Sequence, residues 1–146
     1  PEAGFVIVDT DVWSRAVLAM HQGDPRVASW RRLLLGRSVF IAAQTEAELR
    51  FWPLWRGWSA ARSQLLFDAL GKTPTLPVTP SVIQRYAELR ASCRLLGHPM
   101  HEKIHAGDAW VAATALAYGV PLIAGDRIYR DIPGLTVLGD DDASRH

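Results

Sequence analysis

Cysteine is nearly absent from this chain of 146 residues: Cys93 stands alone, so no internal disulfide can form. Lysine is almost as scarce, with two against fourteen arginines, and fifteen Asp and Glu bring the formal net charge to only +1. That balance excludes a protein that coats nucleic acid by bulk charge, so a nucleic-acid partner would have to be held locally. Long hydrophobic runs are missing as well. The apolar stretches are interrupted well before the roughly 20 residues of a membrane span, and the N-terminus has no basic region leading into a long apolar core, which reads as a cytoplasmic protein. No internal repeat and no low-complexity linker divides the chain. One domain over residues 1–138 is expected, with 139–146, which holds three consecutive aspartates, as a flexible acidic tail. At this length folding buries roughly two-thirds of the unfolded surface, enough to hold together without disulfides or a structural metal.

What is present alternates between strand and helix patterns. Phe5 to Val8, Val39 to Ala42, Pro121 to Ala124 and Leu135 to Leu138 are short apolar runs suited to strands buried on both faces of a sheet. Between them, helical patterns cover Val12 to Met20, Pro25 to Leu35 with Asp24 as N-cap, and Gln44 to Phe51, which Pro53 should kink or end. Ser59 to Leu70, Pro80 to Leu96 ending at Gly97, and the Ala-rich Asp108 to Tyr118 ending at Gly119 complete the helices, with His98 to Gly107 as a loop. Leu76 to Val78 is at best a short strand, because Pro77 lacks a ladder donor. Such alternation implies an α/β/α sandwich around a mostly parallel central sheet of about four to five strands, with ligands beyond the carboxyl ends of the strands.

That edge is where the carboxylates fall. Asp9 ends the first strand, Glu46 and Glu48 follow the second, Asp108 opens the Ala-rich helix, and Asp126 follows the third long strand. Any one of them alone reads more readily as a helix cap or a solvated loop residue. Four segments delivering carboxylates to one edge reverse that preference, because carboxylates gathered out of water repel and call for a cation. Hard oxygen donors without a cysteine pattern favour Mg²⁺ or Mn²⁺ over zinc, as one ion or two, and such ions suit phosphodiester hydrolysis.

Taken in order, Val8-Asp9-Thr10-Asp11-Val12, Thr45-Glu46-Ala47-Glu48-Leu49-Arg50, Asp108 to Leu116, and Pro121 to Arg127 followed by Ile132-Pro133-Gly134-Leu135 resemble the successive motifs of PIN-domain nucleases. The likeness spans nearly the whole chain and is greatest to VapC-type toxins of bacterial toxin–antitoxin pairs. It implies a metal-dependent endoribonuclease that cuts RNA, often a tRNA or rRNA, by attack of a metal-activated water on phosphorus. It also implies silencing by a cognate VapB-type antitoxin and pairing as a homodimer. The resemblance places catalysis and metal binding on Asp9, Glu48, Asp108 and Asp126, and prefers Glu48 over Glu46 because Leu49 follows it. Asp11 stands where Asn or Ser is frequent, adding a possible fifth ligand, and Ala124 stands where many relatives carry a hydroxyl.

Recognition elements are fainter. Six arginines, at 31, 32, 37, 50, 56 and 62, face only Glu46 and Glu48 in the same stretch, which reads either as a phosphate-contacting segment or as a solvated helix face. Arg50, Lys103, His105 and Arg127 are the candidate substrate contacts. Trp52, Trp55 and Trp58, three residues apart, suit a partner interface first, core packing second and base stacking third. His98, His101 and His105 have spacings that could suit zinc, but a polar loop rimming the site is the likelier reading, since no fourth soft ligand is near. Asp9-Thr10-Asp11-Val12 also resembles the first motif of haloacid-dehalogenase-type phosphatases, in which Asp9 would be the nucleophile and Gly125-Asp126 with Asp131 the last acidic motif. Chain order argues against that reading, since the Ala-rich helix precedes Asp126 and few residues follow it. A PIN-fold DNA nuclease and a non-catalytic PIN-like binding module are the remaining alternatives, the latter disfavoured by the intact acidic set.

Overall fold

The computed structural model describes residues 4–18 and 24–139. Four parallel strands form the sheet: β1 (Phe5–Val8), β2 (Ser38–Ala42), β3 (Thr75–Leu76) and β4 (Leu122–Ile123), in the spatial order β3-β2-β1-β4. Val6 pairs with Val39 on one side of β1, and Ile7 pairs with Leu122 on the other. Side chains alternate along these strands, so neighbours in sequence feed opposite cores. Val6, Val8, Ile41 and Ile123 belong to one apolar cluster, and Ile7, Ala42 and Leu122 to the other. A sheet buried on both faces accounts for the continuous β-branched runs in the sequence.

Among the described residues six α-helices cover it: α1 (Thr10–Val12), α2 (Pro25–Leu34), α3 (Ala43–Arg56), α4 (Ala60–Gly71), α5 (Pro80–Leu96) and α6 (Ala106–Tyr118). Local chemistry explains their starts. Asp24 accepts from the backbone N–H of Arg26 with Pro25 at the first helical position, Ser59 accepts from Arg62, and Thr79 accepts from Val82. Gly57, Gly97 and Gly119 end α3, α5 and α6 in the left-handed conformation. Helix α6 is lined with Ala109, Ala112, Ala113 and Ala115, all buried, and such small side chains let its backbone lie close against its neighbours.

Several expectations need correction. The first helix is three residues of α1 that widen into a π-helical stretch over Trp13–Val17, where Trp13 Nε1 donates to Thr73 Oγ1 at 3.1 Å; its expected end at Met20 lies outside the described residues. Pro53 does not end α3, which runs on to Arg56, because Leu49 and Pro53 are both buried and that packing outweighs one lost backbone bond. Helix α6 begins two residues before Asp108, with Gly107 in its first turn, where a Cβ would stand 3.2 Å from the Gln44 amide. The expected strand from Leu135 to Leu138 is reduced to a single parallel bridge between Leu122 and Val137. Of the two residues of β4, both pair with β1 but only Leu122 pairs with this run. Of the expected acidic tail, residues 140–146 lie outside the described residues. Among the described residues no helix is long and apolar enough to cross a membrane.

Candidate active site

At the carboxyl ends of the strands a cavity of about 330 Å³ is lined by Asp9, Asp11, Glu48, Asp108 and Asp126, together with Arg26 and Tyr129. Asp9, Glu48, Asp108 and Asp126 each arrive on a different piece of the fold, and Asp11 comes with Asp9. Asp9 leaves β1 and caps α1, accepting from the backbone N–H of Val12 at 2.8 Å. Glu48 is on α3, within hydrogen-bond reach of the Gln44 amide at 3.2 Å. Asp108 is in the first turn of α6, and Asp126 caps a short 3₁₀ turn after β4 by accepting from Ile128 N–H at 2.9 Å. A contact of 3.4 Å between the Thr10 and Thr45 hydroxyls ties the α1 segment to α3 beneath the cluster.

Glu46 and Glu48, inseparable by composition, are separated here. Glu46 accepts from Thr75 Oγ1 at 2.6 Å and from Arg50 Nε at 2.7 Å, and those donors hold its carboxyl below the usual glutamate range. Glu48 faces the cavity. Asp11 also reaches it, but one of its oxygens is taken by Arg15 Nε at 2.6 Å.

Electrostatics single out Asp9. It is only 7% exposed, and burial, reinforced by Asp11, Asp108 and Asp126 and opposed by the Val12 bond, pushes its carboxyl from 3.8 to about 7. Tyr129, 2% exposed, donates its hydroxyl to Asp108 Oδ1 at 3.2 Å. Burial first, and then the charges of Asp108 and Asp9, push its phenol well above the usual value, so the donor proton is retained. His105 Nδ1 lies 3.2 Å from the other oxygen, Asp108 Oδ2. Among the described residues no three His, Cys, Asp or Glu side chains stand close enough to enclose an ion unaided. The donor set nonetheless fits a hard divalent cation that keeps some ligands from water or substrate, as Mg²⁺ does.

The remaining candidates scatter. Arg50 is engaged by Glu46 and lies over the Phe67 ring, away from the cavity wall. Lys103 and Arg127 are exposed on 3₁₀ turns next to the site. The tryptophans do not share a face: Trp52 and Trp58 pack against the core under Arg56 and Arg62, whereas Trp55 is 73% exposed and stacks on Phe51. His98 is spent on structure, with its Nδ1 accepting from Met100 N–H and its Nε2 2.7 Å from the Arg130 carbonyl. His105, by contrast, touches the site acid Asp108. Arg26 and Tyr129 had no signal in sequence, since neither belongs to a spacing pattern and both depend on tertiary placement.

Comparison with known proteins bears on the family and the fold. The family model described as PIN domain matches residues 6–135. No curated protein matches the chain significantly. Among solved structures, VapBC2 of Rickettsia felis, bound to a DNA fragment from its promoter, is similar over 91% of this chain and 96% of that one, at 19% identity and a TM-score of 0.71. FitAcB of Neisseria gonorrhoeae is similar over 92% and 96%, at 23% identity and a TM-score of 0.67. VapBC-5 of Mycobacterium tuberculosis, described as a member of the VapBC family of toxin–antitoxin systems, is similar over 94% and 98%, at 23% identity and a TM-score of 0.64.

Proposed function

The chain belongs to the PIN domain family, and on that premise we propose that it is a metal-dependent endoribonuclease toxin of the VapC kind, inhibited by a VapB-type antitoxin and paired as a homodimer. The observation that carries the reading is the convergence of Asp9, Glu48, Asp108 and Asp126 from four separate segments on one cavity. The structural likeness to toxin–antitoxin complexes supports the partner.

In this reading Asp9, Glu48, Asp108 and Asp126 hold one or two Mg²⁺ or Mn²⁺ ions. When bound, such an ion lowers the pKa of a water and offsets charge that develops on the phosphate. The chain supplies the arrangement. Tyr129 and His105 grip the two oxygens of Asp108 and fix the plane of its carboxylate. Asp9, held at the end of a buried strand, has little freedom to move. Its raised pKa means that a proton and a cation compete for it near neutrality. The surface that faces outward on α3, Phe51, Leu54 and Trp55 at helical spacing, supports the docking of a protein partner there.

The test is a set of parallel assays on structured RNA, single-stranded DNA and small phosphate esters, with and without Mg²⁺ or Mn²⁺. RNA cleavage that requires the ion and falls at least about a hundredfold in Asp108→Asn, with the fold intact by circular dichroism, is expected. Undiminished RNA cleavage by purified Asp108→Asn overturns the proposal. Cleavage confined to DNA would select the DNA-nuclease alternative, and turnover of phosphomonoesters alone the phosphatase.

A further inference from the structure

One cation stands among the carboxylates of the cavity wall. Arg26, the second residue of α2, lines the cavity beside Asp9 and Asp126. Although half-exposed, its guanidinium is fixed on two sides. Nε and Nη2 donate to Asp24 Oδ1 and Oδ2 at 3.3 and 3.0 Å, and the group lies 5.0 Å from the ring centroid of Trp30, a residue only 5% exposed. Asp24 is itself anchored by Arg15 at 3.1 Å, so the fork is held by an ionic chain rather than by a single contact.

Nη1 is the nitrogen left over. Among the described residues no acceptor meets it, and it lies 2.9 Å from the position that a Cβ on Gly125 would occupy, with the Trp30 ring equally close. Gly125, immediately before Asp126, therefore keeps clear the space that the guanidinium uses. An acid-lined cavity repels a phosphodiester, and a preorganised arginine with a spare N–H is suited to bringing one in, because the guanidinium matches a phosphate oxygen in charge and in hydrogen-bond direction.

We infer that Arg26 is a substrate-binding residue whose Nη1 takes a non-bridging phosphate oxygen of the RNA next to the scissile bond, with Asp24 and Trp30 fixing the guanidinium and Gly125 leaving room for it. The inference rests on the nuclease reading above and adds the group that recognises the substrate.

The experiment measures binding of a fluorescein-labelled single-stranded RNA by anisotropy, with Ca²⁺ in place of Mg²⁺ and over a series of salt concentrations. Cleavage with Mg²⁺ and melting temperature are recorded in parallel. Arg26→Gln is expected to bind about tenfold more weakly, with a slope of log Kd against log salt shallower by about 0.7. Its loss of kcat/KM should come mainly through KM. Arg26→Lys should recover the slope but not the affinity, because an ammonium has no fork. Equal Kd and slope for Arg26→Gln and the wild type overturn the inference. Should Arg26→Gln fail to fold, Asp24→Asn decides: it keeps the Arg26 charge, removes one neighbouring negative charge and frees the fork, so weaker binding at an unchanged slope supports the inference and affinity at or above that of the wild type overturns it. RNA cleavage by the wild type with binding that ignores Arg26 removes the inference alone. Binding through Arg26 without cleavage removes the nuclease reading and leaves Arg26 as an RNA-phosphate contact only, and absence of RNA binding removes both.

Discussion

Asp9 carries an electrostatic cost set by its burial. Its carboxyl titrates near 3.8 in the unfolded chain and near 7 in the folded one, so the folded state keeps a proton that the unfolded state has released. The penalty is absent below the unfolded value, grows as the pH rises between the two, and is complete above about 7, where the difference is on the order of 4 kcal/mol. Asn caps a helix as well as Asp does, so Asp9→Asn keeps the bond to Val12 and removes the penalty. In EDTA its melting temperature should match the wild type near pH 4 and exceed it increasingly toward pH 8, as read by calorimetry; a constant difference across that range would show that Asp9 titrates normally. Gly125→Ala brings a methyl group against Arg26 and Trp30 and is expected to cost about 1–3 kcal/mol in chemical denaturation. At this scale the sequence revealed which acids approach the strand ends, because strand order and motif order locate them. It did not distinguish Glu46 from Glu48 by residue type alone, since that depends on Thr75 and Arg50, and Thr75 is far away in the chain.

Helix α3 shows how a pattern is sorted by packing. Its tryptophans repeat every third residue, but the helical turn sends Trp52 inward and leaves Phe51, Leu54 and Trp55 facing out, with Leu54 83% exposed. Trp52→Ala should therefore destabilise the protein by about 2 kcal/mol. Trp55→Ala should change stability by no more than about 0.5 kcal/mol and yet weaken antitoxin binding or self-association measured by ultracentrifugation. Unchanged assembly in Trp55→Ala would leave this face without a role. Elements with strong local punctuation were legible: α5 begins at Pro80 and stops before Gly97, as its sequence indicates. Elements whose limits are set by neighbours were not. Pro53 reads as a helix breaker until its burial is known, and the apolar run near Val137 reads as a strand until its pairing proves to be the single bridge to Leu122.

For the whole molecule, the small net charge conceals an uneven distribution, in which a carboxylate cavity at one edge of the sheet is offset by arginines spread elsewhere. A bound divalent cation would relieve that crowding, so Mn²⁺ should stabilise the fold by mass action. Because a proton competes for Asp9, the rise in melting temperature at a fixed Mn²⁺ concentration should be larger at pH 8 than at pH 6, and a rise independent of pH would place the ion elsewhere. The order of the strands has a consequence for synthesis. The central strand β1 is made before its neighbours, and one of the two, β4, follows only after helix α6, as does Asp126. Pairings this distant in sequence form late and cannot form on a partial chain. A ribosome that stalls before β4, or a message cut short there, therefore releases a fragment with Asp9, Glu48 and even Asp108 but without the strand that completes the cavity, and the four-acid site comes into being only once β4 and Asp126 have been made.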